Sequence, residues 1–156
     1  MTDPGIDGED DTQRLSHLLW EVGARNSLLA EAALSRTPFT PSAAGMLDTI
    51  LADPGISIAE ISRRTPVSPQ AVSQVVGRLE GLGFVERRSS GRGGRGVALF
   101  ATERGEAAHR EADERRVAYE GELAEALGPR RYRDLVKLLK EARSAVIGME
   151  RGNRPG

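Results

Sequence analysis

The sequence predicts a mainly α-helical fold carrying one small β-hairpin, and three observations predict it. Apolar residues recur at three- and four-residue spacing along most of the chain, as one face of a helix requires. Helix boundaries are marked repeatedly: Thr40-Pro41, Ser57, Ser68-Pro69 and Thr102 as starts, Gly83 and Gly128-Pro129 as ends. Two short strand-like runs, Phe84-Val85 and Val97-Ala98-Leu99-Phe100, bracket RRSSGRGGRG, residues 87–96, which holds four arginines, four glycines and nothing apolar.

From Thr12 to about Ser35, Leu15, Leu18, Leu19, Val22 and Leu29 follow helical spacing, interrupted at Asn26. A second helix opens with Thr40 as N-cap and Pro41 in the first helical position, and runs through Met46, Leu47, Ile50 and Leu51 to Asp53-Pro54-Gly55. The third starts at Ser57, where Ser57 and Glu60 have capping-box spacing and Ile56 with Ile61 the spacing of a hydrophobic staple. Arg63-Arg64-Thr65-Pro66 ends it within two turns. The fourth begins with Ser68 as cap, Pro69 at N1, and Val67 with Val72 as a second staple. It closes at Leu82-Gly83-Phe84, with Leu79 and Phe84 spaced to meet in a Schellman motif. After the hairpin, Thr102 caps a long helix with Glu103 in its positive first turn, and Ala108, Ala112, Tyr119, Leu123 and Leu127 mark its stripe. Gly128-Pro129 breaks it. Tyr132, Leu135, Leu139, Ala142, Val146 and Met149 mark the last helix.

Composition excludes several chemistries. No cysteine is present among the 156 residues, which removes disulfides, thiolate nucleophiles and the common zinc motifs. His17 and His109 stand far apart in no metal-binding spacing, so neither a metal nor another cofactor is expected. No apolar run approaches the roughly 20 residues of a membrane span. The N-terminal MTDPGIDGEDDTQ is acidic and unlike a signal peptide, so cytoplasmic residence is expected. The net charge of −1 is unevenly spread. Residues 1–56 carry three Arg against nine acidic residues, residues 57–104 eight Arg against four, and residues 105–156 eleven basic against ten acidic. A basic patch confined to one segment of an otherwise acidic chain points to a polyanion partner at one face.

The short third helix, the Thr65-Pro66-Val67 turn and the longer fourth helix make a helix-turn-helix candidate. One face of the fourth helix is apolar, formed by Val72, Val75, Val76, Leu79 and Leu82; the other shows Gln70, Ser73, Gln74 and Gly77. A merely solvated face tends toward Glu and Lys. Here the groups are short, uncharged donors and acceptors suited to base edges, with Gly77 leaving room for close approach. Ser68 and Pro69 lie at the helix start, and Arg78 is placed to reach a phosphate. A hairpin beyond such a helix is a wing, so the fold reads as a winged helix-turn-helix for double-stranded DNA. Arg87 and Arg88 would meet phosphates, and Arg92 and Arg95 the minor groove. Gly91-Arg92-Gly93-Gly94-Arg95-Gly96 also satisfies G-x-G-x-x-G, but a dinucleotide site needs a helix next, and a strand pattern follows.

The ordered set Thr40-Pro41, Ser68-Pro69-Gln70-Ala71-Val72-Ser73, Arg78 through Arg87 and Ala101-Thr102-Glu103-Arg104-Gly105 resembles the MarR family of multiple-antibiotic-resistance regulators over about residues 12–150. The wing departs from the family's Asp-x-Arg, reading Gly93-Gly94-Arg95, so the arginine is kept without its orienting aspartate. The resemblance implies a homodimer built by terminal helices, a pseudo-palindromic operator, and repression relieved by a small-molecule effector. Effector binding near His17, Trp20 or Met46 would suit such a protein; packing alone is the competing reading for each. The implied organisation is a disordered acidic tail at 1–11, an N-terminal dimerisation helix at 12–37, a DNA-binding domain at 38–101, C-terminal dimerisation helices at 102–150 and a flexible tail at 151–156. Two other classes stay open: a winged-helix module that binds protein, and a nucleotide-binding enzyme, for which no nucleophile–base pair is evident.

Overall fold

A computed structural model describes residues 14–89 and 96–152, and its elements follow the expected order of four helices, a hairpin and two helices. They are α1 (Leu15–Leu34), α2 (Pro41–Ala52), α3 (Ile58–Arg64), α4 (Pro69–Gly81), β1 (Val85–Ser89), β2 (Val97–Ala101), α5 (Glu103–Leu127) and α6 (Pro129–Gly152). The chain through Arg116 packs as one compact unit and the chain from Val117 as a second. The acidic tail read at 1–11 and residues 153–156 lie outside the described residues.

Helix starts fall where a side chain satisfies the N–H groups that a helix end leaves open. Thr40 Oγ1 accepts from the Ala43 N–H, Ser57 Oγ from Glu60 and Ser68 Oγ from Ala71, each at 3.1–3.2 Å. The Ser57 capping box is only half formed. Glu60 does not return a bond to Ser57; its carboxylate takes Arg63 and Arg64 instead, because two guanidinium donors outcompete one neutral amide. Those two arginines, Arg63 foremost, hold the Glu60 carboxyl below its ordinary pKa. Of the second staple pair, Val72 is fully buried and Val67, in the α3–α4 turn, is 36% exposed.

The core of the first unit is assembled by Leu34, Leu47, Ile50, Ile61, Val72, Val76, Leu79 and Leu99, all essentially inaccessible to water. Burying each such side chain contributes about 1.5 to 3 kcal/mol. β1 and β2 pair antiparallel, with Val85 opposite Ala101 and Arg87 opposite Leu99. The ribbon is tied to the core through Leu99. Its carbonyl accepts from the Gly55 N–H at 2.8 Å, and its own N–H donates to the Ile56 carbonyl at 3.0 Å. Arg87, Arg88 and Ser89, read from sequence as part of the basic turn, belong to β1. The five residues of β2 need a partner strand of equal length, and pairing extends into the polar stretch to supply it.

The junction from α4 to β1 is a complete Schellman motif. Gly83, at φ +73°, donates to the Glu80 carbonyl at 2.8 Å, and Phe84 donates to the Leu79 carbonyl at 2.9 Å. The start of α5 is seated on that same turn. Thr102 donates its N–H to the Phe84 carbonyl and its hydroxyl to the Gly83 carbonyl, while its Oγ1 accepts from Gly105. Gly105 lies so close that an added Cβ would stand 2.1 Å from the Phe84 carbonyl oxygen. A second tie joins α2 to α5: Arg116 donates to both carboxylate oxygens of Asp48, at 2.6 and 2.9 Å, and to Asp113, while His109 Nε2 also meets Asp48. Burial works to raise the Asp48 carboxyl, but the hydrogen bonds and charges of Arg116 and His109 prevail and hold it below its ordinary value.

In the second unit, Gly128 at φ +83° turns the chain into α6, and the Tyr132 hydroxyl donates to Glu120 at 3.3 Å. The apolar stripe of α6 is largely open, with Leu135, Leu139, Val146 and Met149 exposed. In the first unit, Leu15, Leu18, Leu19, Trp20, Val22, Leu28 and Leu29 of α1 are exposed as well.

Candidate nucleic-acid interface

The surface of interest begins with the two faces of α4. Val72, Val76 and Leu79 fix one face in the core, and that orientation turns Gln70, Ser73, Gln74, Gly77 and Arg78 outward together. Their spacing of three and four places them in one strip along the helix. The outward face holds two amides, a hydroxyl, a bare backbone position and, at its far end, a guanidinium. Beyond the backbone of α4 itself, no atom of the described residues lies within 4 Å of the point where a Gly77 Cβ would stand. The glycine therefore answers to no packing need of this chain. Ser68 accepts from Ala71 as a cap, which leaves its hydroxyl proton available to an acceptor outside the helix. Pro69 opens α4 beside it.

The ribbon supplies the second part. Because neighbouring strand residues point to opposite faces, Arg87 and Arg88 diverge. Arg87 donates its Nε–H to both oxygens of Glu80 on α4, at 2.9 Å each. Arg88 pairs with Glu86 and lies 4.5 Å over the ring of Phe100. Arg92 and Arg95, assigned from sequence to the minor groove, lie outside the described residues, as does the Gly93-Gly94 departure. Arg78 differs from the ribbon arginines in having no carboxylate partner among the described residues. Glu80 and Phe100 were not legible as site neighbours. Glu80 meets Arg87 seven residues away across a helix end and a turn, a separation that carries no periodic signal.

The three residues proposed near an effector do not come together. His17 and Trp20 sit one turn apart on α1 with ring centroids 5.8 Å apart, and with Glu21, Ala24, Arg25 and Leu28 they line an open groove of about 530 Å³. Met46 is instead buried in the core of the first unit, where its flexible thioether side chain packs among Leu47, Ile50 and their neighbours. Arg25 in that groove is held by Glu21 at 2.9 Å. Among the described residues, no group of three or more His, Asp or Glu side chains is arranged to hold a metal ion.

A family model described as MarR family matches residues 37–96, from the approach to α2 through the hairpin. The HTH-type transcriptional repressor Rv2887 of Mycobacterium tuberculosis (strain ATCC 25618 / H37Rv) is 36% identical over 106 residues, covering 68% of this chain and 76% of its own. The chain belongs to the MarR family. The structure of the Mycobacterium tuberculosis MarR family protein Rv2887 in complex with salicylic acid superposes with a TM-score of 0.70 at 31% identity, covering 85% of this chain and 98% of that one. The same relative in complex with DNA gives a TM-score of 0.69 at 29% identity, covering 83% and 97%. The winged helix-turn-helix fold expected from sequence is thus the fold observed. As a MarR-family protein the chain is a transcriptional regulator and not an enzyme.

Proposed function

We propose that this MarR-family regulator is a homodimeric repressor that reads a pseudo-palindromic DNA operator through α4 and grips the flanking backbone with its wing. One observation carries the reading: the core side chains of α4 force Gln70, Ser73 and Gln74 outward as a single strip of uncharged base-reading groups, with Gly77 open beside them. In the major groove, Gln70 and Gln74 are suited to the paired donor and acceptor of adenine, and Ser73 to a base edge or phosphate. Ser68, Arg78, Arg87, Arg92 and Arg95 supply the backbone and minor-groove contacts, with Pro69 fixing the helix start, while Arg88, engaged by Glu86 and the Phe100 ring, takes no part in them. Two-fold symmetry then sets the two α4 helices in successive major grooves about 34 Å apart.

The exposed stripes of α1 and α6 are the surfaces that pairing would cover, so the 12–37 and 102–150 segments serve dimerisation and 38–101 serves DNA. No helix among the described residues is long and apolar enough to cross a membrane, and residence in the cytoplasm beside its DNA follows from the proposed role. The α1 groove is the proposed effector site, with His17 and Trp20 as ring partners; Rv2887 in complex with salicylic acid makes salicylate the first probe. An effector would act by binding better to a lobe spacing that misses the second groove. Trp20 is the protein's one tryptophan and is 68% exposed, so its emission reports directly on occupation of this groove.

The test is duplex binding across salt. Saturable binding whose affinity falls linearly on a log–log plot between roughly 50 and 200 mM salt is expected. Indifference to duplex DNA and to salt would leave a protein-binding winged module as the better account.

A further inference from the structure

Resting on that reading of the surface, we propose that Glu80 is a positioning residue for duplex binding: by holding the Nε–H of Arg87 it presents that arginine's terminal nitrogens to a backbone phosphate, while Arg88 is withheld. The two arginines are sequence neighbours with equal charge, and the fold treats them differently. Arg87 lies on the β1 face that buries Val85, and its guanidinium meets the carboxylate of α4. Arg88 lies on the opposite face with Glu86 and Phe100, engaged by a carboxylate and a ring together.

The geometry at Arg87 is that of a tether which leaves the donor end free. A guanidinium has five N–H groups. Only the Nε–H is used, shared between Oε1 and Oε2 at 2.9 Å each. The four N–H groups on the two terminal nitrogens have no protein acceptor among the described residues, and they form the fork that fits two phosphate oxygens. Both side chains are half-buried, 36% and 28% exposed, so the pair is partly shielded from solvent. Glu80 also stands one turn beyond Gly77 on the helix that carries the reading strip. The contact therefore fixes a ribbon cation relative to α4 itself, removing side-chain freedom that a phosphate contact would otherwise have to quench.

The sign of the effect separates positioning from simple charge. A carboxylate beside a polyanion repels it, so on charge alone removing Glu80 should strengthen binding. Positioning requires the reverse.

The experiment uses the full-length protein and a labelled duplex of about 30 base pairs enriched from random DNA by the wild type, long enough for two half-sites one helical turn apart. Affinity is read by fluorescence anisotropy across salt for wild type, Glu80→Ala, Glu80→Gln, Arg87→Ala, Arg88→Ala and the Glu80→Ala/Arg87→Ala double variant. Arg87→Ala should weaken binding about tenfold and reduce the salt slope by about 0.9, the value of one phosphate contact. Glu80→Ala should weaken binding about three- to tenfold, shift the slope in the same direction, and add nothing further in the Arg87→Ala background. Glu80→Gln, which keeps an oxygen acceptor for the Nε–H and preserves the local shape, should recover most of the loss. Arg88→Ala should change affinity by less than about twofold. Unchanged or tighter binding by both Glu80 variants, or independent addition of the Glu80 and Arg87 effects, overturns the inference. If Arg87→Ala binds like wild type while Gln74→Ala does not, the inference falls and the reading of α4 stands. If the wild type enriches no duplex, both fall.

Discussion

Gly77→Ala should move fold stability and DNA affinity in opposite directions. Gly77 lies within α4, and beyond the backbone of that helix no atom of the described residues lies within 4 Å of an added Cβ. A glycine inside a helix costs about 0.8 to 1 kcal/mol relative to alanine. With no clash to offset that gain, Gly77→Ala should stabilise the fold by roughly 0.5 to 1 kcal/mol, a rise of about 1 to 4 °C in Tm for a chain of this size. The same methyl projects from the strip formed by Gln70, Ser73 and Gln74, where a duplex must approach the backbone. Affinity for an enriched duplex should therefore fall about five- to fiftyfold, comparable to one mismatched base pair. Differential scanning calorimetry and anisotropy on the same preparation read both quantities. A variant that is more stable and binds as tightly as wild type would refute the close approach at α4. One that is less stable would refute the account of the local packing.

Three further expectations follow from particular contacts. Gln74→Ala should relax base preference at one position per half-site while keeping the salt slope, seen as a flattened column in duplexes enriched from random DNA. Gly105→Ala should destabilise the protein by about 2 to 4 kcal/mol in urea unfolding, because the new Cβ meets the Phe84 carbonyl oxygen and a backbone atom has little room to yield. Asp48→Asn should cost about 1 to 2 kcal/mol at neutral pH, discounted for the carboxylate's partial exposure. The folded pKa of Asp48 is depressed, so its contribution is fully present above the unfolded value near 3.8 and is lost as pH falls through the folded one. The wild type should therefore lose stability below about pH 4 more steeply than Asp48→Asn, by thermal melts across pH.

What was legible in the sequence was whatever a short segment decides by itself. Thr40, Ser57, Ser68 and Thr102 each cap the helix expected of them, because a hydroxyl reaches only the N–H groups of the next turn. The Schellman closure at Gly83 was readable for the same reason. The outward strip of α4 was readable because the valines that define the buried face are in the same thirteen residues. Contacts across elements were not. Glu60 has the correct spacing for a capping box, yet Arg63 and Arg64 claim it. For Met46 the sequence offered both an effector contact and simple packing, and its place in the core could not be read from α2 alone, since burial depends on what α2 packs against. Glu80 with Arg87, and Asp48 with His109 and Arg116, depend on how elements are seated on one another. Local periodicity does not encode that.

The most direct measurement is the base preference of duplexes selected from random DNA by the wild type and by the Gln70→Ala/Ser73→Ala/Gln74→Ala variant side by side. The wild type should enrich a two-fold symmetric pattern with half-sites centred about ten base pairs apart. The triple variant, still holding its phosphate contacts, should bind DNA with that pattern erased. The same pattern from both proteins would mean that α4 does not read the bases.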